Sequence, residues 1–95
     1  KTKVDDLVDG IGRAYLDRGR AIDALQFFEI GSRRRPWMPN SNVFSAIALH
    51  QLQRDLDARR ELYLSVQTVF SASPPLAKAR DRVQLQVGQP VLPDP

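Results

Sequence analysis

The chain has 95 residues, a net charge of +3, 42% hydrophobic and 26% charged residues, which fits one small globular domain and not a disordered tail. It has no cysteine, and this removes disulfide frameworks, thiolate metal sites and cysteine nucleophiles. No apolar run approaches the roughly 20 residues that span a bilayer, and no signal-like stretch opens the chain. A soluble intracellular protein without a membrane role is expected, and the opening at Lys1 reads as that of a piece of a larger chain.

The elements follow in chain order. Val4, Leu7, Val8, Ile11 and Tyr15 recur at three- and four-residue steps and predict a first helix. Gly19 interrupts it. Ala21, Ala24, Leu25 and Phe28 carry a second helix that ends near Arg33, Arg34 and Arg35, where cations meet the negative end of the helix dipole. Pro36-Trp37-Met38-Pro39 is a stiff connector, and Asn40, Ser41 and Asn42 offer oxygens to cap a third helix. That helix turns Phe44, Ile47, Ala48 and Leu52 to one side, with Val43 beside them. After a turn at Arg54-Asp55, a fourth helix carries Ala58, Leu62, Tyr63, Val66, Val69 and Phe70. Ser73-Pro74-Pro75 is a helix-start signal for a fifth, with Leu76, Ala79, Val83 and Val87 on one face. From Gly88 onward a proline-rich tail is expected to be extended. No segment alternates with period two, so the fold class is all-α.

The spacing also carries an internal unit. Val8, Ile11, Gly12, Tyr15, Ala24, Phe28, Gly31 and Pro36 stand at the offsets of a bulky residue, a leucine-like residue, a glycine, a tyrosine, an alanine, an aromatic, a small residue and a closing proline. This stretch resembles the tetratricopeptide repeat without a gap, although Val8 replaces the usual tryptophan and Gly31 the usual alanine. Gly12 and Ala24 are expected where two antiparallel helices cross most closely, with Tyr15 and Phe28 wedged alongside. Gly19 is expected to make the turn. Thirty-four residues on, Ala46, Leu49, Ala58, Leu62 and Ser65 fall on small or apolar places, whereas Asn42, Ser45 and Phe70 do not fit. The resemblance implies antiparallel hairpins stacked as a short tetratricopeptide-like α-solenoid over residues 1–87. The hairpins would span about 3–35 and 41–71, with a capping helix over 74–87 and the tail 88–95 outside. Leu7-Val8-Asp9-Gly10 and Asp55-Leu56-Asp57-Ala58 also resemble the RNA-reading pentatricopeptide family, at the cost of a gap in the first helix.

Chemistry-bearing constellations are few. His50 is a lone histidine with no cysteine to complete a metal site, so it reads as an ordinary surface or half-buried residue or a groove contact. Asp5, Asp6 and Asp9, like Asp55 and Asp57, lie at predicted helix starts, where carboxylates meet the positive dipole end. Gly10-Ile11-Gly12 lacks the third glycine and the preceding strand of a phosphate loop. No nucleophile elbow or Ser/His/Asp spacing stands out. Neither an enzyme nor a cofactor is expected.

The tetratricopeptide resemblance places a partner groove on the first helix of each hairpin. It assigns Asp9, Arg13 and Asp17 from one hairpin and Val43, Ile47, His50 and Gln51 from the other. Trp37 is either a plug between hairpins or an exposed anchor, and Arg33–Arg35 is a secondary contact run. Phe27, beside Phe28, points off the main face and is expected against a neighbouring repeat. The expected function is a non-catalytic protein-interaction module, such as a scaffold, adaptor or small chaperone, that binds a peptide or partner subunit. RNA is the alternative partner. Chaperone C-terminal tails fit poorly, because Asp9 and Arg13 stand where that branch of the family uses lysine and asparagine.

Overall fold

The computed structural model describes residues 2–68 and 71–93, with side chains from residue 7 onward. The expectations for Val4, Asp5, Asp6, Val69 and Phe70 lie outside the described residues or side chains. Five helices follow one another: α1 (Thr2–Asp17), α2 (Ala21–Arg34), α3 (Asn40–Gln51), α4 (Asp55–Val66) and α5 (Pro74–Val87). The described residues contain no strand.

The first hairpin closes where α1 and α2 approach most tightly. A methyl group on Gly12 would sit 2.6 Å from Cε1 of Phe28. Phe28 and Ala24 are wholly buried. Phe28 stacks at 5.7 Å on Phe44 of α3, so one ring joins three helices. Tyr15 lies on the flank and stacks at 5.5 Å on Phe27. Phe27 therefore packs on Tyr15 of its own hairpin and is half-buried. Gly19 makes the turn at φ +75°, a conformation that costs glycine little.

The same local geometry recurs 34 positions later. Gln53 takes the left-handed place of Gly19 at φ 60°. Arg54 donates its backbone N–H to Leu49 as Arg20 does to Tyr15, at 2.8 and 2.9 Å. The exposed ion pairs Arg20–Asp23 and Arg54–Asp57 are both 2.7 Å. Gly12 and Ala46, Ala24 and Ala58, Phe28 and Leu62, and Gly31 and Ser65 are each buried in pairs at this spacing.

Each helix packs its backbone against the next, α1 and α5 also meet α3, and among the described residues no helix reaches further along the chain. Helix α3 is the central rod, touching α1, α2, α4 and α5. Leu16, Ala21, Ala24, Phe28 and Ala48 form one core cluster. Ala46, Leu49, Ala58, Leu62, Val83 and Val87 form another. Leu25 and Ile47 pack against both.

Helix α3 begins differently from the sequence expectation. Pro39 occupies the cap position and no side chain caps the helix. Ser41 and Asn42 lie inside the first turn, buried, and their polar atoms reach across the fold. Ser41 Oγ donates to Asp9 Oδ1 at 3.1 Å, and Asn42 Nδ2 donates to Glu61 Oε1 at 3.1 Å. Buried polar atoms need such partners, and tertiary carboxylates take precedence here over local capping. Gly31 permits the first bond, since a methyl group there would stand 2.5 Å from Ser41 Oγ and 2.8 Å from Asp9 Oδ1.

Helix α5 starts as expected. Ser73 Oγ accepts the backbone N–H of Leu76 at 3.4 Å, with prolines in the first turn. At the other end Gly88, at φ +106°, turns the chain back along α4. Arg59 Nε donates to the Gln89 carbonyl at 2.7 Å, and the Val91 N–H donates to the Arg59 carbonyl at 3.1 Å. The tail is therefore docked through Pro93.

Gly12→Ala tests the hairpin contact. Its methyl group meets a buried ring that is itself backed by Phe44. Such overpacking costs roughly 1–3 kcal/mol, more than the ~1 kcal/mol of helix propensity that alanine returns. A lower urea midpoint with an unchanged slope is expected, and a raised midpoint would show that the ring can yield.

Candidate functional site

Alternate helices α1, α3 and α5 leave a cleft of about 680 Å³ between them. Arg13, Leu16 and Asp17 line it from α1, and Asn40, Phe44, Ile47 and Gln51 from α3. Ser73, Pro75, Leu76, Ala79 and Arg82 close the α5 side. The α3 contribution is one helical face, since residues at steps of three and four stack at 100° per residue.

The floor is apolar and the walls are charged. Phe44 and Ile47 are half-buried, whereas Arg13, Asp17, Gln51 and Arg82 are exposed. The Arg13 guanidinium lies 4.9 Å from the centre of the Phe44 ring, a cation–π contact worth ~0.5–1 kcal/mol at an exposed site. That stacking orients the guanidinium without consuming its donors.

The structure brings four of the seven groove residues expected from sequence to this cleft: Arg13, Asp17, Ile47 and Gln51. The other three lie elsewhere. Val43 is wholly buried, being turned about 100° from Phe44 into the packed interior. Asp9 is half-buried and accepts the Ser41 bond at the meeting of α1, α2 and α3. His50 Nδ1 lies 2.9 Å from Asp55 Oδ1 and clips the turn between α3 and α4. Sequence reasoning missed Phe44 as a lining residue, and it missed the whole α5 wall. The period through Asn40, Phe44, Ile47 and Gln51 was the available signal for the first. Of the secondary contacts, Trp37 is 45% exposed in its connector. Arg33 pairs with Glu29 at 3.7 Å. Neither these two nor Arg34 and Arg35 lines the cleft.

A second cleft of about 510 Å³ opens on the opposite face of α3, between α2 and α4. Leu25, Leu49 and Leu64 form its apolar part, and Pro93 of the docked tail closes one side. Ser45 and Leu49, which line it, and Asn42, whose amide reaches its Glu61, are turned roughly half a revolution from Phe44 and Ile47. Glu61 stands in this cleft. Burial pushes its carboxyl above the ordinary 4.5, the Asn42 bond opposes that shift, and the carboxylates of Asp57 and Glu29 add to it.

A carboxyl that is easier to protonate when folded opposes folding once it is ionised. Its contribution worsens as pH rises from 4.5 through the raised folded value, because the native state binds the extra proton. Glu61→Gln keeps an oxygen for Asn42 and removes the charge. It is expected to raise the melting temperature at neutral pH, with the gain shrinking to nothing below pH 4.5. An equal gain at every pH would mean that ionisation has no part in it.

No described helix is long and apolar enough to cross a membrane, and the described residues hold no group of three or more metal-capable side chains. Compared with family models, with curated proteins and with solved structures, the chain matches none.

Proposed function

We propose that this chain is a short tetratricopeptide-like helical-repeat module, a scaffold or adaptor element that holds a peptide segment of a partner protein in the cleft of α1, α3 and α5. The observation that carries this reading is the construction of the cleft. Its walls are alternate helices of a unit whose turn, ion pair and buried positions recur at 34 residues. Stacking such units produces a concave surface lined by the equivalent helix of each. An apolar floor with exposed polar walls suits a chain segment that anchors one side chain and fixes its register by hydrogen bonds.

Peptides selected from a displayed dodecapeptide library on the intact protein test the proposal. Ala79→Trp fills the cleft from the α5 wall at a position that is not part of the buried core clusters. Selected peptides are expected to lose binding to this variant while its melting temperature stays near that of the parent. Binders indifferent to Ala79→Trp would place recognition on another surface. Single-stranded oligouridine is the control ligand for the pentatricopeptide-like alternative.

A further inference from the structure

We infer that the segment taken by the α1–α3–α5 cleft carries one acidic side chain next to an apolar one, and that Arg13 and Arg82 receive the acid. This rests on the reading of the cleft as a peptide groove and adds the chemistry of its occupant.

The argument begins with how the chain uses its arginines. Arg20, Arg33, Arg54 and Arg60 are each paired with a carboxylate three or four residues away in sequence, Arg20 and Arg54 from the cap positions of α2 and α4. Among the described residues Arg13, Arg18, Arg59, Arg80 and Arg82 make no ion pair, and of these Arg13 and Arg82 line the cleft, from opposite walls. The stack on Phe44 holds Arg13 in place and leaves its N–H fork open. A guanidinium so oriented matches a carboxylate bidentately. Less rotamer freedom is then lost on binding, which is how preorganised arginines become strong contacts.

The apolar requirement comes from the floor. Phe44 and Ile47 lie half-buried between the two arginines' walls, so a side chain neighbouring the acid meets hydrocarbon there. Asp17 limits the number of acids. It stands one turn beyond Arg13 on the same wall, also without an ion pair among the described residues. A tract of acids, or the phosphate of every nucleotide in a nucleic acid, would have to pass it against like-charge repulsion. A single acid at the arginines followed by a hydrogen-bond donor near Asp17 meets no such conflict.

The dodecapeptides selected on the intact protein supply the test, with Arg13→Ala, Arg82→Ala and Ala79→Trp compared against the parent by fluorescence anisotropy. The selected set is expected to be enriched in Asp or Glu beside Leu, Ile or Phe. Each arginine variant should weaken binding by about tenfold, the order expected for a charge-assisted hydrogen bond. Replacing the peptide's acid by its amide should have little further effect on Arg13→Ala, the non-additivity of groups in contact. Peptides blocked by Ala79→Trp but without an acid, or with one indifferent to both arginines, would overturn the acidic occupant and leave the groove standing. Peptides indifferent to all three variants, or the absence of any binder, would overturn both. Fluorescein-labelled oligouridine bound through both arginines would overturn the peptide in favour of nucleic acid.

Discussion

Phe28→Ala is expected to leave the protein largely unfolded at 37 °C. The ring is wholly buried and meets both Gly12 of α1 and Phe44 of α3. Truncating a buried phenylalanine costs ~3–5 kcal/mol, and the upper end applies when the surroundings cannot collapse into the space. Gly12 has no side chain with which to follow the missing ring, so little collapse is available. Domains of this size have stability toward the lower end of about 5–15 kcal/mol. At roughly 4–8 °C per kcal/mol for small domains, the transition should fall by more than about 10 °C. Calorimetry or urea titration measures this, and a midpoint within experimental scatter of the parent would show that the three-helix joint is not where the first hairpin derives its stability.

The second large effect is expected at the corresponding place in the other hairpin. Leu62 is wholly buried in the cluster with Ala46, Leu49, Ala58, Val83 and Val87, and Leu62→Ala should cost ~2–5 kcal/mol. Its distribution differs from that of Phe28→Ala. Among the described helices, the backbone of α5 meets α3 and α4 and not the first hairpin, so a cavity at this seam loosens α5 before it loosens the first hairpin. Amide hydrogen exchange should quicken in Pro74–Val87 more than in Ala21–Arg34, as for an element near the low end of local stability. Uniform quickening throughout would mean that the two hairpins and α5 open as one unit.

The legible parts of the sequence were those in which a residue type has one physical use. Gly12, Ala24 and Phe28 announce a close helix crossing because small residues facing a large one pack well nowhere else. Gly19 announces a turn through its φ, and Ser73-Pro74-Pro75 a helix start through a cap and missing N–H groups. The all-α class followed from the absence of period-two alternation. Helix α3 was harder to read. Between Val43 and Leu49 nearly every residue is apolar or small, so periodicity selects no single face, and only contact with four other helices decides which side chain looks where. The tetratricopeptide resemblance placed Val43 in a groove that belongs to Phe44, and no periodicity in α3 was there to correct it. Ser41 and Asn42 looked like caps because their carboxylate partners, Asp9 and Glu61, are distant in sequence. The α5 wall was missed because a helix read as a cap was not also read as part of a binding surface. Docking of the tail left no sequence signal beyond Gly88.

That docked tail governs how the protein can be handled. With Gly88 reversing the chain and Pro93 seated beside the α2–α4 cleft, the described tail lies on the back of the molecule. A fluorophore, affinity tag or sensor surface joined there leaves the front, where Arg13 and Arg82 stand, open to the bulk solution. A bulky fusion at that end would crowd the neighbourhood of Glu61 instead, and would disturb its titration before it disturbed capture at the front.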